Sequence, residues 1–564
     1  PPQRAHRRAL SLDTVLVGLP LIAGRVLAGQ DIVNNLSIAH QTAANLRDGA
    51  ILPSWAGGFN AGFGSPLLVF FPPLTGFVNA IPVLLGVTVI SGVCALALIA
   101  HLLSGLAAYG WLRSIGVQRA ALPASIVDMV APYRLVDLYL RSALAEHWVF
   151  IWPPLILWAA GAENLRPAVR VVLVSLTVAA LLLTNIPLSV LFGLGLGVWV
   201  LASQRIKPYR LEVVGGAGLG FGLATFMLVP QAMAPTLLNL DICFGPASVA
   251  LRPSSNTLFS AGLGTWNLNT FFSLTLVSTC VLAVLAYGLL PTEKRKGLGE
   301  RGLLAAAILC VLVTLGPVGP LWDALPILSN LQFPWRITSV MTLLAATLVA
   351  RLEIRRAWAV ALIAVAVAIP FSSWNRTVPR STFSAPEPVR PAPGTVLPDP
   401  HTAWEAGSGG WYWRHENLVE LCLVPQSMPA FLFDEFRGNE TRVLDHIRHR
   451  PAAVVDQPAA AIHVVRWGQA DREIEVTLEQ GGELVWRVMW FPSMIATIDG
   501  EPVATSADPE TGLVRHRIPA GTHRVGWRWR PFQALAAARL VSLIAAAAIV
   551  ALAFAAWFGR RRSE

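Results

Sequence analysis

Long apolar runs separated by polar segments dominate this chain, and many are long enough to cross a bilayer. A hydrocarbon core of about 30 Å needs about 20 apolar residues as helix, within roughly 17 to 25. On that measure the pattern predicts spans near 10–28, 84–112, 119–133, 147–162, 168–185, 186–203, 211–233, 267–290, 302–320, 337–353, 357–373 and 533–558, about twelve in all. The third is short and carries Pro123 and Asp128. The stretch 66–83, with Pro66, Pro72, Pro73 and Pro82, reads as a re-entrant helix or part of a span.

Three polar segments are long or unusual. In 29–66, the spacing of Ile32, Leu36, Ala39, Ala43 and Leu46 predicts a helix that stops near Gly49, followed by a Gly/Pro/Trp-rich loop. Segment 132–147 predicts an amphipathic helix at the interface or over a cavity. Segment 374–532 opens with a Pro/Ser-rich linker. It then shows short alternating runs (EIEVTLEQ, ELVWRVMW, MIATIDGEPVA, GLVRHRIPAG, HRVGWRWR) with a turn at Asp499-Gly500. That pattern predicts an antiparallel β-sandwich with Trp486, Trp490 and Trp527 in its core, able to fold alone as 395–531. The expected organisation is a transmembrane domain over 1–373, a β-rich domain over 374–532, and a last span with a basic tail over 533–564.

Composition agrees with a polytopic membrane protein. Over 564 residues, 54% are hydrophobic and 13% charged, about half the charge of a soluble fold. A cytosolic enzyme, a secreted disulfide scaffold and a disordered tail protein are excluded. The net charge of +10 would suggest nucleic acid in a soluble chain. Here the cations have a topological explanation. With the N-terminus inside, the short inner segments hold 20 Lys and Arg and the outer ones five: Arg47, Arg134, Arg141, Arg252 and Arg336. The expectation is both termini in the cytoplasm, the β-domain outside, a bacterial plasma membrane as the site, and no nucleic-acid partner. The first apolar run lacks a small-residue cleavage site, so no cleavable leader is expected. Cys94, Cys280 and Cys310 lie in apolar runs, and Cys243 and Cys422 in polar segments where they could pair.

Candidate chemistry gathers on the outer segments. Asp31 follows the first span, with Asn35 and Thr42 on its helical face. It suits a general base or one ligand of a divalent cation, and equally a helix N-cap. His40 points away and reads as structural. Arg134, Asp137 and Arg141, at i, i+3 and i+7, form either a phosphate clamp or an intrahelical ion-pair network. Glu146 falls on a different, apolar face, over Leu135, Tyr139 and Ser142, and there faces a polar cavity or ends the helix. Arg336, in NLQFPWRITS, could reach a diphosphate or snorkel to lipid phosphates beside Trp335. Asp128 is a polar-cavity candidate within a span, and Asp13 reads as a cap. The sequence has no HExxH, CxxC, GxSxG or phosphate-loop motif. Asn375-Arg376-Thr377 and Asn439-Glu440-Thr441 match the glycosylation pattern.

These residues resemble a known family. Asp31, Leu46-Arg47-Asp48-Gly49, Pro53-Ser54-Trp55, Gly62-Phe63-Gly64-Ser65-Pro66 and Phe71-Pro72-Pro73 resemble the first outer loop of membrane proteins labelled 6-pyruvoyl-tetrahydropterin synthase-related. So do Pro132-Tyr133-Arg134, Asp137-Leu138-Tyr139, Arg141, Ala145-Glu146 and Leu331 through Arg336. The tail, Trp490-Phe491-Pro492, Ile498-Asp499-Gly500 and Ile518 through His523, is similar to the outer β-domain of YfhO-like proteins. Both families look like members of the GT-C superfamily of glycosyltransferases. The resemblance implies a GT-C-like bundle and a polyprenyl-phosphate sugar donor used at the outer face. It also implies an essential first-loop acid, which maps onto Asp31. The pattern departs in two places: Asn35 stands where many relatives have His, and no second acid adjoins Asp31. The family label implies no pterin chemistry, since no cluster of His ligands for zinc is present.

The expectation is therefore an envelope glycosyltransferase with a glycan, lipid or protein acceptor. Asp31 and Glu146 are its catalytic candidates. Arg134, Asp137, Arg141, Arg336 and Asn35 are its substrate-binding candidates, and a divalent cation is a possible cofactor. The rivals are a transporter or flippase of lipid-linked precursors, hinted at by Pro123, Asp128 and the Gly-rich 215–222, and a non-catalytic envelope-assembly protein.

Overall fold

Proline, glycine and asparagine decide where the apolar runs stop being continuous helix. The computed structural model describes residues 2–59, 64–238, 252–260, 268–373, 377–379, 453–455, 461–509 and 512–561. Among them, five helices are long and apolar enough to cross a membrane: Val89–Ser114, Pro167–Thr184, Lys207–Leu237, Asn269–Gly288 and Gln533–Phe558. Gly299–Leu312 and Gly316–Ala324, bent by 79°, make a sixth if taken as one broken span. The count of about twelve is not confirmed by helix length.

Several expected spans prove broken. The run 10–28 divides into helices Pro2–Val17 and Leu19–Ile22, then turns at Gly24 (φ +84°) into a strand, β1 (Arg25–Leu27). β1 pairs antiparallel with β2 (Thr377–Pro379). The run 119–133 is helical only over Ala121–Met129 before Pro132 starts a new helix. The run 147–162 divides at Pro153 and Pro154, which sit in the first turn of helix Trp152–Gly161, where a missing N–H costs nothing. Asn185 separates Pro167–Thr184 from Ile186–Ala202, and its side chain accepts from Leu188 N at 3.0 Å as the cap of the second.

The β-region is two antiparallel sheets. One has the order β3 (Ala453–Val455), β6 (Gly482–Met489), β10 (Leu513–Ile518), β9 (Ser506–Ala507). The other runs β4 (Ala461–Trp467), β5 (Asp471–Leu478), β11 (Gly521–Trp529), β7 (Met494–Ile498), β8 (Glu501–Val503). Asp499 and Gly500, both at positive φ, close the two-residue turn between β7 and β8. Trp486 and Trp527 are buried between the sheets. Trp490 is half-buried and donates to Thr505 Oγ1 at 3.2 Å. Of the expected linker, 372–400, residues 374–376 and 380–400 lie outside the described residues, as do Cys243, Cys422, Asn375 and Asn439.

The sandwich core is shared with the membrane part. Trp55, Val69, Phe70, Leu238 and Leu535 belong to the same apolar cluster as the inner faces of the sheets. Trp55 meets Trp527 edge-on at 6.1 Å, and Gln469 N donates to Asp48 Oδ2 at 2.8 Å. Gly64 (φ +82°) lies so close to the Trp55 indole that a Cβ would fall 2.3 Å from its Nε1. Together with the β1–β2 pair, these contacts put the first loop, the sandwich and the start of the last helix at one end of the bundle.

Candidate functional site

The segment 132–149 is not the expected amphipathic helix. Pro132 opens a short helix, Pro132–Val136, that widens into a π turn over Asp137–Arg141. Ser142 then takes a left-handed conformation (φ 56°), and helix Leu144–Val149 follows. Residues 132 to 144 are all buried, so the segment has no solvent face. Widened turns of this kind re-aim side chains and recur at functional sites.

This geometry splits the Arg134–Asp137–Arg141 stripe. Arg134 turns into the bundle, 2.6 Å from Asp128 Oδ2, bonded to Ser104 Oγ and lying over Phe150. Arg141 turns the other way: its Nη1 is 3.1 Å from Asp137 Oδ1 and 2.9 Å from Glu146 Oε1. The reversal at Ser142 brings Glu146 onto Arg141, although uniform helical spacing puts the two on different faces.

Asp31 joins from the 29–66 segment. It occupies the N-cap position of helix Ile32–Arg47, but its side chain makes no capping bond. Its Oδ2 lies 3.0 Å from Arg141 Nη2. The backbone is clamped as well: Asp31 N donates to Arg141 O at 2.7 Å, and Gly29 N to Ser142 Oγ at 3.1 Å. Asn35 donates through Nδ2 to Asp31 O at 2.6 Å and Ser142 O at 3.2 Å, tying the two segments together. The third contributor is the turn Pro334–Ile337. Arg336 Nε donates to Glu146 Oε1 at 2.9 Å, and its Nη1 to Leu331 O at 2.7 Å.

An aromatic wall backs the cluster. Phe272 and Trp335 stack at 3.7 Å, Arg141 lies 5.2 Å from the Trp335 ring, and Tyr133 OH donates to Glu146 Oε2 at 3.0 Å. The sequence assigns Tyr133 no role and sets Trp335 in the aromatic belt beside Arg336, whereas both rings are buried in the fold. Their hydrogen-bonding tips inside an apolar setting are the signal that could have found them.

Three carboxylates face two guanidiniums. Burial pushes the Asp137 carboxyl well up, and nearby Glu146 adds to this against the pull of Arg141. Burial also acts on Glu146, but Arg141 and Arg336 overcome it and hold that carboxyl at about 2. Asp31 is raised, by burial first, with Arg141 opposing. Its side chain is 35% exposed against 2% for Glu146, so desolvation acts on it less. The arrangement is therefore neutral when Asp137 keeps its proton. Asp137 Oδ2 has no hydrogen-bond partner among the described residues, consistent with a neutral acid. A divalent cation does not fit this donor set: Asp31, Asp137 and Glu146 each already face a guanidinium. Among the described residues no group of three or more His, Cys, Asp or Glu could hold a metal.

A second polar cluster lies deeper. His101 Nε2 is 3.5 Å from Asp13 Oδ2, and the His101 and His147 rings stack in parallel at 5.5 Å. Asp13, read as a cap, instead faces this pair, and Arg134 with Asp128 borders it. Spacing could not reveal the grouping, because these five residues come from five separate helices.

The model of the 6-pyruvoyl-tetrahydropterin synthase related domain, a membrane-protein family, matches residues 68–379, more than half of the chain. No curated protein matches in sequence. Among solved structures, the chain is similar to the arabinofuranosyltransferase AftD from mycobacteria, at 16% identity and a TM-score of 0.43. That match covers 65% of this chain and 26% of the other. It is also similar to the oligosaccharyltransferase of Archaeoglobus fulgidus in its apo form, at 13% identity and a TM-score of 0.39. There the covered shares are 67% and 57%, so the chain spans well under two thirds of either protein. By its family match, the chain belongs to the 6-pyruvoyl-tetrahydropterin synthase-related membrane proteins.

Proposed function

We propose that this chain is a membrane-embedded glycosyltransferase. It moves a sugar from a polyprenyl-phosphate donor to a glycan, lipid or protein acceptor of a bacterial envelope, on the side that carries the sandwich. The observation that supports this most is the meeting of Asp31, Arg141, Glu146 and Arg336, from three distant segments, with Asp31 at the accessible edge.

The chemistry needs a base and an anion site. Arg141 exchanges its Asp31 partner for the donor phosphate, two of whose terminal oxygens match the planar guanidinium fork, and Arg336, still held by Glu146, adds its charge beside it. Asp31, released from Arg141, takes the proton of the acceptor hydroxyl. The acceptor oxygen bonds to the anomeric carbon, the bond from that carbon to the phosphate oxygen breaks, and the phosphate leaves with the electron pair. One positioned base suffices for such an inverting displacement. Glu146, bonded to Tyr133 and Arg336, keeps Arg336 aimed, and Arg134 serves the bundle interior.

Purified chain given a panel of labelled polyprenyl-phosphate sugars tests the reading. One donor should be consumed, with its label appearing in an envelope acceptor. A folded protein that consumes none of the panel contradicts it.

The deeper Asp13–His101–His147 group favours a second reading, transport of a lipid-linked precursor, because ionisable residues at membrane depth often mark pathways. Movement of an intact lipid-linked sugar across proteoliposomes, lost in His101→Gln, would favour that reading over transfer.

A further inference from the structure

Between the first outer loop and the last helix lies a narrow, open-sided fissure, with about 340 Å³ of space between its walls when the open solvent is included. Its lining comes from Leu68 and Phe71 of the outer loop, Phe77 of helix Pro73–Leu84, Phe226 of helix Arg210–Leu237, and Leu535 of helix Gln533–Arg561. Arg539 is the one charged residue in that lining. An adjoining fissure of about 250 Å³ shares Leu68, Phe71 and Phe77 and extends to Ile38 and Thr42.

Arg539 is the anomaly. No hydrogen bond or ion pair engages it among the described residues, and its Nε is buried without an acceptor. It stands six positions into its helix, about 9 Å below the sandwich end at a rise of ~1.5 Å per residue. That is a depth at which lipid phosphates lie within reach of a long side chain. The neighbouring Leu540, Leu543 and Ile544 are exposed, so this helix faces lipid. Arg539 is half-buried, and a cation partly withdrawn from water among apolar groups favours an anion beside it. The protein supplies none among the described residues, and the bilayer supplies phosphate.

We infer that this fissure is a binding site for an anionic glycerophospholipid of the leaflet on the sandwich side. The headgroup phosphate lies on Arg539, and one acyl chain lies against Leu68, Phe77 and Phe226. A headgroup of net negative charge satisfies the guanidinium without bringing a second cation beside it. The apolar lining takes a chain and no polar ligand. Because the outer loop that forms one side also packs into the sandwich core, the bound lipid braces the sandwich against the bundle. The site is separate from the Asp31–Arg141 cluster and independent of the transferase reading.

The test uses the full chain in phosphatidylcholine nanodiscs with a phosphatidylglycerol tracer carrying a photoreactive acyl chain. Labelling should fall on peptides containing Leu68, Phe77 or Phe226. Unlabelled phosphatidylglycerol should compete about tenfold better than phosphatidylcholine, the scale of one charge-assisted hydrogen bond. Arg539→Gln should weaken labelling by a similar factor, Arg539→Lys should retain part of it, and Leu68→Trp should block it by filling the fissure. Equal competition by phosphatidylcholine, competition by inorganic phosphate, unchanged labelling of Arg539→Gln, or label spread over exposed positions such as Leu543 would each overturn the proposal.

Discussion

At the scale of single residues, the two buried acids beside Arg141 behave oppositely. Burial pushes the Asp137 carboxyl toward its neutral form, whereas Arg141 and Arg336 hold Glu146 ionised. Asp137→Asn therefore replaces a neutral acid by a neutral amide and should leave stability nearly unchanged. Glu146→Gln strips Arg141 and Arg336 of a shared counter-charge and should destabilise by about 3–5 kcal/mol. Thermal unfolding of the two variants measures the difference, and equal losses would contradict it. The same shifts fix the pH dependence. The Glu146 carboxyl is lowered in the fold, so its stabilisation is fully present above 4.5 and is lost as pH falls toward about 2. The Asp31 carboxyl is raised, and a base must be ionised. The acid limb of kcat/KM should therefore lie above the ordinary carboxylate range of about 4, and a limb at or below that value would count against Asp31 as the base.

Individual site residues were legible in the sequence because each is a polar exception in an apolar neighbourhood. Their pairings were not, because pairing depends on local breaks in helical period. Uniform spacing joins Arg134 to Arg141 and separates Glu146, while the π turn and the left-handed Ser142 do the reverse. At this scale of elements, the join between the first loop and the 132–149 segment is the vulnerable point. A Cβ on Gly29 would lie 2.4 Å from Ser142 Oγ and 2.5 Å from the Arg141 carbonyl carbon. Gly29→Ala should cost about 1–3 kcal/mol and push Asp31 away from Arg141. Loss of turnover in Gly29→Ala greater than its loss of folded protein is the expected result, and wild-type turnover would contradict the geometry. The spans carried the same limit. Length and apolarity located the helices, but Gly24, Pro132, Pro153 and Asn185 divide them where a window average does not see a boundary.

Over the whole molecule, alternation and the Asp499-Gly500 turn made the strands legible, but nothing in them announced that the sandwich shares its core with Trp55, Val69 and Phe70. Trp55 fills part of that core against Trp527. Trp55→Ala in the full chain should weaken hydrogen-exchange protection of β5 and β11 by about 3–5 kcal/mol. Protection unchanged in this variant would instead support a sandwich that folds independently. The isolated segment 395–531 should accordingly unfold at a lower temperature than the same strands in the intact protein.

On the proposed mechanism, Asp31 acts on the acceptor and does more than neutralise Arg141. Asp31→Asn is nearly isosteric, and asparagine is also a good N-cap, so the fold should survive. The decisive measurement is sugar transfer by well-folded Asp31→Asn protein with the donor that the wild type consumes. Turnover should fall by about 10² to 10⁴, the usual worth of a positioned base. Wild-type turnover in that variant would contradict it.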